Sequence, residues 1–490
     1  MNLSNIKYCD AIKCPKKVWF DNNFPQLADK SLKISSNIIN NLCLSEIGIA
    51  YFGSCRTISD QSDLPERLQL TKEYLASGNS TIAEATFLYD DCLCTIDLLH
   101  QEDNHVTIYA VKETTMSQEN NLEELKYQAY ILHQLGYNIS NICLLYINQD
   151  YTLTSNLCLN KLFKVEDYTY LILSSLNEVK NNLSYFKTYF KQTKEPLADL
   201  DIKCLTPSKC PYFQSCHSFL QKNNVFDLCR LSASSKIELY QQGLYTYEVL
   251  LKTNLNITFK LPIYYELYDA APYINKEHLT NFLNELSSPL FFLDITSLQT
   301  IVPLYKDTKP YQRLPFQYSL ASLNEELNDF TYTDYLSKST AEPQRLLAES
   351  LVKNIPLNSC LLTYNSSLKK EILQELANLY PDLSAALLNI SAHLQDLMTP
   401  FYNYDYYCQA MHGSYLFKDI LSALFPNEPK LAYQKVLSIH DDTEAALNYL
   451  KMAKLPSKER SKLHQSLKKY VHFNTYAMTR IFTFLQSLIK

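Results

Sequence analysis

Between Thr81 and Lys112, apolar and β-branched residues form three short runs that are separated by polar residues. The first interruption is the pair Asp90 and Asp91, and the second is the polar stretch 101–105. Short β-prone runs divided by turn-forming residues are typical of consecutive strands. The pattern therefore predicts three strands in this part of the chain.

The next segment, Leu122 to Leu135, has the periodicity of a helix. Its apolar positions recur every three or four residues, at Leu125, Ala129, Leu132 and Leu135. This spacing places them on one face of a helix, and Gly136 is well suited to end it. A further apolar run, Asn141 to Ile147, predicts another strand.

Two apolar runs in the second half indicate another α/β unit. Leu290 to Ile295 predicts a strand, and Cys360 to Tyr364 predicts a strand that a long helix follows. A chain of 490 residues is longer than one hydrophobic core usually organises. We therefore predict an α/β protein with domains at 1–230 and 286–490, joined by a connector at 231–285.

Charge limits the kinds of partner that the whole surface could attract. The net charge is −6 and the sequence pI is about 6.0, so there is no overall attraction to nucleic acid. The segment from Lys451 to Lys490 differs, because it carries nine Lys and Arg residues against the single acid Glu459. This local charge of +8 is either a solvated helix face or a phosphate-binding surface.

Targeting and membrane signals are not evident in the sequence. Met1 to Asp10 contains no basic stretch followed by an apolar one, and the chain has no run of about 18 apolar residues. We therefore expect a cytoplasmic protein that does not enter a membrane. No Gly/Ser-rich or acidic tract interrupts the chain, so we expect it to be folded throughout.

Cysteine is concentrated in the first half of the chain. Twelve of the fourteen cysteines precede residue 230, which in a cytoplasmic protein argues for thiols or a metal site rather than disulfides. Four of them lie near the two ends of the predicted N-terminal domain, at Cys14, Cys204, Cys210 and Cys216. Four thiolates can hold a cubane iron–sulfur cluster, with zinc as the competing metal. Ordinary buried thiols are the alternative.

Four polar residues between these cysteines follow one another in a characteristic order. Glu84 stands in AEATF, Asp97 in TIDLL, Lys112 in YAVKETT and Gln128 in KYQAY. With the cysteines around them, they resemble RecB-like exonucleases of the CRISPR-associated type, which belong to the PD-(D/E)XK, restriction-endonuclease-like class. The resemblance implies a [4Fe–4S] clasp and a site in which Glu84 and Asp97 bind Mg²⁺ or Mn²⁺. It also implies that Lys112 orients the attacking water and that Gln128 belongs to the same site.

One acid of the family pattern is missing from this site. Ala110 stands where relatives have their second metal-binding acid, two residues before Lys112. Glu113 is a poor substitute, because alternate residues of a strand face opposite sides. Glu124 lies four residues before Gln128 and would share its face of the helix, so it is a candidate replacement.

The second half contains further family-like stretches. In order, they read PLFFLDITSLQ, LLTYNSSLKKEIL, HGSYLFKDIL and KKYVHFNTYAM. They resemble a DnaQ-like exonuclease domain of the RNase H-like fold. The closest resemblance is to the version fused to RecB-like domains in bacterial proteins whose family is described only as a domain of unknown function. Together with the N-terminal motifs, the resemblance covers nearly the whole chain.

Most of the acids that this exonuclease chemistry needs are replaced. About four carboxylates normally surround two metal ions that bind the attacking and leaving oxygens. Asp294 remains as the first acid, and Asp396 is a further candidate. The other acidic positions of the family are occupied here by Thr296, Lys369 and Asn474. We therefore predict poor binding of divalent ions at this site.

Three functions are consistent with these patterns. Losses at both sites favour a degenerate nuclease that binds nucleic acid or a protein partner. A second possibility is an Mg²⁺- or Mn²⁺-dependent nuclease that cuts DNA or RNA at the RecB-like site with Glu124 as the migrated acid. A third is an interaction protein without a nucleic-acid partner, which the acidic net charge would suit.

Overall fold

The computed structural model describes residues 3–30, 44–78, 80–113, 119–253, 260–268, 270–327, 329–338 and 342–490. These residues form two mixed α/β units, which confirms the predicted fold class at this level. The first unit contains the described residues up to Ser218 together with Thr300–Gln312. The second contains those of Phe219–Gln299 and Arg313–Lys490. Within these ranges, no helix has the length and apolar character needed to span a bilayer.

The first unit is built on a mixed sheet. Its strands are β1 (Leu3–Ser4), β2 (Cys55–Thr57), β3 (Thr81–Tyr89), β4 (Cys92–Glu102), β5 (His105–Lys112), β6 (Asn138–Ile147) and β7 (Phe163–Asp167). Their order is β2–β3–β4–β5–β6–β7, with β1 beside β4. β3, β4 and β5 are antiparallel neighbours, whereas β6 runs parallel to β5. The three strands predicted between residues 81 and 112 are therefore confirmed.

Asp90 and Asp91 form the tight turn between β3 and β4. Both residues have positive φ angles, +48° and +62°, and the strands pair immediately beyond them at Tyr89 and Cys92. A two-residue turn with positive φ at both positions matches the right-handed twist of the strands it joins. Aspartate enters this region of backbone conformation more readily than most residues.

Helices pack against this sheet. Those of the first unit are α1 (Asn5–Lys13), α2 (Pro15–Asn23), α3 (Leu44–Tyr51), α4 (Leu64–Ala76), α5 (Glu119–Gln134), α6 (Leu159–Leu162), α7 (Thr169–Leu173), α8 (Leu176–Phe190) and α9 (Phe213–Cys216). α5 confirms the helix predicted from periodicity: Leu125, Ala129 and Leu132 are fully buried in the core beside the sheet. Leu135 lies beyond its end and is 39% exposed, and Gly136 follows with a φ of +83°.

Residues Thr300–Gln312 complete the first unit although they lie far along the chain. Ile301 and Val302 are buried in one apolar cluster with Ile47 and Leu145. Backbone hydrogen bonds of 3.0 and 2.6 Å join Leu153 to Thr308 and to Asp307. The sequence pattern did not predict that this segment belongs to the first unit, because it indicated an uninterrupted domain from residue 286 to residue 490.

The second unit contains a five-stranded mixed sheet and a short two-stranded one. Its strands are β8 (Tyr273–Ile274), β9 (Leu290–Gln299), β10 (Arg313–Asn324), β11 (Asp329–Leu336), β12 (Cys360–Thr363), β13 (Leu394–Asp396) and β14 (Tyr406–Tyr407). The larger sheet has the order β11–β10–β9–β12–β13. β9, β10 and β11 are antiparallel neighbours, and β12 and β13 extend the other side in parallel. The smaller sheet pairs β14 with β8.

The second unit also contains helices, several of which pack against the larger sheet. They are α10 (Ala233–Gln241), α11 (Tyr247–Lys252), α12 (Lys260–Leu267), α13 (Lys276–Asn284), α14 (Gln344–Asn354), α15 (Ser366–Leu379), α16 (Ser384–Ala392), α17 (Thr399–Tyr402), α18 (Phe417–Leu424), α19 (Tyr433–Val436), α20 (Asp442–Met452) and α21 (Ser457–Ile489). The segment 231–285, predicted as a connector, lies within this unit.

Alternate residues of β9 face opposite sides of the sheet. Leu293 and Ile295 are buried in the core formed with α14, α15 and α16. Phe292 instead contacts Phe482 of α21, with ring centroids 5.3 Å apart. Because side chains alternate along a strand, Asp294 faces the same side as Phe292, towards α21.

Candidate functional site

Asp97 and Lys112 meet across two neighbouring strands of the first unit. Lys112 Nζ lies 3.4 Å from Asp97 Oδ2, and the Val111 backbone N–H donates a 2.7 Å hydrogen bond to the same oxygen. Burial raises the pKa of Asp97, although the Lys112 ammonium opposes this shift. The pair is therefore a partly buried carboxylate held by one cation and one backbone donor.

Glu124 reaches the same ammonium group from α5. Its Oε2 lies 2.8 Å from Lys112 Nζ, and Asn5 donates a 3.2 Å hydrogen bond to its Oε1. Burial disfavours the charge on Lys112, but the carboxylates of Asp97 and Glu124 raise its pKa overall. Two carboxylates from different elements thus share one ammonium group, which fits the prediction that Glu124 lies at this site.

Glu84 lies opposite this group on β3. The register of β3 and β4 passes from the pair Ala83 and Leu98 to the pair Ala85 and Ile96, which places Glu84 across from Asp97. Burial, and then the nearby Asp97 carboxylate, raise the pKa of Glu84. Its φ of +59° is uncommon for a residue other than glycine, and such conformations often occur at functional sites.

The remaining predicted residue, Gln128, lies deeper in the first unit. It is fully buried, and its Nε2 donates a 3.0 Å hydrogen bond to the Thr95 carbonyl. Its Oε1 has no hydrogen-bond partner among the described residues. Ala110, where the resemblance led us to look for a second metal-binding acid, is also fully buried. The structure therefore brings Glu84, Asp97 and Lys112 close together with Glu124, and it supplies an ammonium group between two of the acids.

The four predicted cluster ligands line one cavity of the first unit. Cys14 lies between α1 and α2, Cys204 and Cys210 lie on the segment before α9, and Cys216 is the last residue of α9. The cavity has a volume of about 600 Å³, and all four cysteines contribute to its lining. Residues that are 190 positions apart in sequence, Cys14 and Cys204, therefore face the same space.

Positive charge and burial shape the chemistry of these thiols. Burial raises the pKa of Cys204 to about 11 and also raises those of Cys210 and Cys216. The Lys16 ammonium, which is 4% exposed and 2.8 Å from Glu195 Oε1, opposes the shift at Cys216. Cys204, Cys210 and Cys216 therefore hold their protons more tightly than exposed cysteines do, unless a metal binds them.

The described residues contain no group of three or more His, Cys, Asp or Glu side chains arranged to hold a single metal ion. A tetrahedral zinc site would bring its sulfur atoms to within about 3.8 Å of one another, given zinc–sulfur bonds of about 2.3 Å. In a cubane cluster each thiolate binds a different iron atom, so the sulfurs need not converge on one point.

A second polar group lies on the α21 side of the sheet in the second unit. Lys369 Nζ from α15 is 3.0 Å from Asp294 Oδ1, and Asn474 Nδ2 from α21 donates a 2.9 Å hydrogen bond to Asp294 Oδ2. All three residues are at most 9% exposed. Both carboxylate oxygens of Asp294 are thus occupied, one by the Lys369 ammonium and the other by the Asn474 amide.

The sequence patterns missed one acid of this group, Asp442. It is the first residue of α20, and the Tyr470 hydroxyl donates a 2.8 Å hydrogen bond to its Oδ1. Burial, and then the charge of Asp294, raise its pKa. The stretch that contains Asp441 and Asp442 has the composition of a helix start, and Asp441 does cap the helix. No sequence signal shows that Asp442 faces inward, because it could equally be a second capping acid.

The other candidate acid, Asp396, binds backbone groups. Its oxygens accept hydrogen bonds from the N–H groups of Asn365 and Ser366 at 3.1 and 2.7 Å, and from Met398 at 3.0 Å. Asp396 therefore helps to stabilise the start of α15. Thr296 is fully buried, and its Oγ1 has no hydrogen-bond partner among the described residues.

These polar residues border a large open cavity of the second unit. Asp294, Lys369, Asp442 and Asn474 line it together with Tyr433, and its volume is about 720 Å³. A cleft of this size is in the range of ligand-binding sites. Its floor contains a salt bridge in place of a cluster of free carboxylates.

Comparison with known proteins gives one match. Residues 291–416 match the model of a domain of unknown function (DUF2779). The matched range includes Asp294, Lys369 and Asp396, and it ends before α20 and α21. Curated proteins and solved structures give no match.

Proposed function

We propose that the protein is a degenerate nuclease that binds nucleic acid and whose C-terminal site no longer binds catalytic metal ions. The observation that carries this proposal is the buried contact of Asp294 with Lys369 and Asn474. A two-metal exonuclease needs free carboxylate oxygens around both ions. Here an ammonium and an amide occupy them, so Lys369 supplies the positive charge that a metal ion would otherwise supply.

The connections of the two sheets support the nuclease resemblance. In the first unit, α4 precedes three antiparallel strands, β3 to β5, and α5 then leads to β6 beside β5. In the second, three antiparallel strands are followed by two parallel ones on the side of β9. These are the arrangements that PD-(D/E)XK and RNase H-like folds imply, although fold alone does not establish activity.

We also propose that Cys14, Cys204, Cys210 and Cys216 bind a [4Fe–4S] cluster. Their common cavity supports this, because four thiols from both ends of the first unit line it. A bound cluster would tie the N-terminal segment to the residues after α8 by covalent iron–sulfur bonds. Lys16 would stabilise the thiolate of Cys216 in that state.

A second candidate function is cleavage of nucleic acid at the first unit. The observation that favours it is the position of Glu124, whose carboxylate shares the Lys112 ammonium with Asp97. If a divalent ion displaced the ammonium from these acids, Glu84, Asp97 and Glu124 could bind it. Lys112 would then be free to orient a water molecule.

A nuclease assay separates the two functions. Anaerobically purified protein is mixed with labelled single- and double-stranded DNA and RNA in the presence of Mn²⁺. We expect binding without cleavage, because Ala110 leaves the first site without its second metal-binding acid and Lys369 and Asn474 occupy the oxygens of Asp294. The variants Lys112→Ala and Asp294→Asn are assayed in parallel, and their melting temperatures establish that they are folded.

Each pattern of cleavage has a different meaning. Cleavage that is lost in Lys112→Ala and retained in Asp294→Asn would establish the second candidate function. Cleavage that is lost in Asp294→Asn would overturn the proposal, since the C-terminal site would then be active. If none of the nucleic acids is bound, the protein is not a nucleic-acid-binding protein.

A further inference from the structure

The N-terminal half of α21 presents a row of lysines to solvent. Lys458, Lys462 and Lys469 are exposed and separated by four and seven positions, and exposed Gln465 lies between them. With 3.6 residues per turn, this spacing places all four side chains on one narrow face. The lysine row, as we call Lys458, Lys462 and Lys469, extends over about 16 Å of the helix.

Acidic side chains do not neutralise the lysine row. Among the described residues, none of its three lysines forms an ion pair with a carboxylate, although Lys469 donates a 2.8 Å hydrogen bond to the Val436 carbonyl. Lys451 and Lys454, just before the helix, are exposed as well. The single acid of the segment, Glu459, lies about 100° around the helix from Lys458. The row therefore retains its positive charge on the surface.

The charge of this segment is the reverse of that of the remaining chain. The whole protein carries −6 and Lys451–Lys490 carries +8, so the other residues carry −14. A cationic surface on an anionic protein attracts polyanions to one place. The buried face of α21 fixes that place, because Leu467, Val471 and Ile481 are buried in the second unit.

We propose that the lysine row binds the sugar–phosphate backbone of a nucleic acid. This inference rests on the proposed function and deepens it by assigning the contact surface. Lysine is a point charge suited to phosphate oxygens, and the 16 Å row is about as long as five base-pair steps along the axis of a DNA duplex, at about 3.4 Å per step.

A protein partner fits this surface less well. The large apolar residues that are exposed in the described chain all lie outside 451–490. Protein interfaces depend on apolar and aromatic anchors, which the row therefore lacks. Contacts to phosphates alone do not distinguish one base sequence from another. We therefore expect binding that is independent of base sequence.

Charge neutralisation in the full-length protein tests this inference. The triple variant Lys458→Gln/Lys462→Gln/Lys469→Gln is compared with Lys276→Gln/Lys353→Gln/Lys430→Gln. The control removes the same charge from three exposed lysines of the same unit. Fluorescence anisotropy measures binding to labelled DNA and RNA, single- and double-stranded, at several salt concentrations. The row variant should bind more than about tenfold more weakly, and its logarithmic salt slope for duplex DNA should be shallower by about 2 to 3.

The outcomes separate this inference from the proposed function. If the unmodified protein binds clearly and the two triple variants bind equally well, the lysine row is not the contact surface, although the protein does bind nucleic acid. Absence of binding by the unmodified protein would overturn both. Poly-glutamate is included as a second polyanion, and if it competes as well as DNA at equal charge, the row is a general anion surface and the assignment to nucleic acid is wrong.

Discussion

Replacing Lys369 with methionine is expected to lower the free energy of unfolding by about 3–5 kcal/mol, the usual cost of removing one partner of a buried ion pair. Lys369 is 6% exposed and Asp294 is 8% exposed, so little water can reach the carboxylate that remains. Asn474 still donates one hydrogen bond to it, but an amide does not neutralise a buried charge. Chemical denaturation followed by circular dichroism measures the change.

The adjacent residue provides the matched control. Lys370 is exposed, and the substitution Lys370→Met should change the free energy of unfolding by no more than about 0.5 kcal/mol. The double variant Lys369→Met/Asp294→Asn removes both charges and should recover a large part of the loss. Equal stability of the Lys369→Met variant and the unmodified protein would show that the ion pair is not buried as described.

The pH dependence of this effect follows from the shifted pKa values. Burial disfavours the Lys369 ammonium, but Asp294 and Asp442 raise its pKa above the ordinary 10.5 overall. A lysine pKa that is higher in the folded state contributes stability below the unfolded value and loses it as the pH rises through the folded value. The stability difference between the unmodified protein and Lys369→Met should therefore persist from neutral pH to about pH 9. Asp442 acts in the same direction at lower pH, because its pKa is also raised in the folded state and its contribution to stability is lost as pH rises above the unfolded value.

Replacing Cys210 with serine is expected to abolish stable iron binding. The unmodified protein, purified without oxygen, should contain about four iron atoms per chain and absorb visible light, as a [4Fe–4S] cluster does. With one of four thiolates missing, the iron content should fall to well below one atom per chain. The melting temperature should fall with it, because metal ligation contributes directly to folding. Metal analysis and visible spectra measure both quantities.

Cys158 is the appropriate control for this experiment. It is an exposed cysteine of the same unit and does not line the cavity of the four predicted ligands. Cys158→Ser should leave iron content and melting temperature unchanged. About one zinc ion per chain and no iron would show that the four cysteines form a zinc site. If the unmodified protein contains neither metal, the proposal that these cysteines bind a cluster is wrong.

Local pattern accounts for the parts of the fold that the sequence predicted. The runs between Thr81 and Lys112 became three strands because turn-forming residues interrupt an otherwise β-prone stretch. Leu125, Ala129 and Leu132 form the buried side of α5 because apolar residues at this spacing lie on one face of a helix, and that face packs against the core. Helix spacing made Glu124 a candidate for the site of Asp97 and Lys112, and its carboxylate does contact Lys112.

Features that depend on distant contacts could not be predicted in this way. Asp442 comes to lie near Asp294 only because α20 packs beside β9, and its local sequence describes an ordinary helix start. The positive φ of Glu84 arises within a regular-looking strand. Asp396 was a candidate metal ligand by motif, yet its oxygens accept bonds from three backbone N–H groups. Sequence spacing does not show which carboxylates accept hydrogen bonds from backbone N–H groups.

The return of Thr300–Gln312 to the first unit has a consequence for how the protein is made. The ribosome must translate more than eighty residues beyond Ser218 before Ile301 and Val302 can join the core that contains Ile47. Until then the nascent first unit exposes apolar surface, which makes it a substrate for chaperones. Expression of a fragment ending near residue 230 would leave that surface permanently uncovered, so the N-terminal motifs cannot be studied by simple truncation.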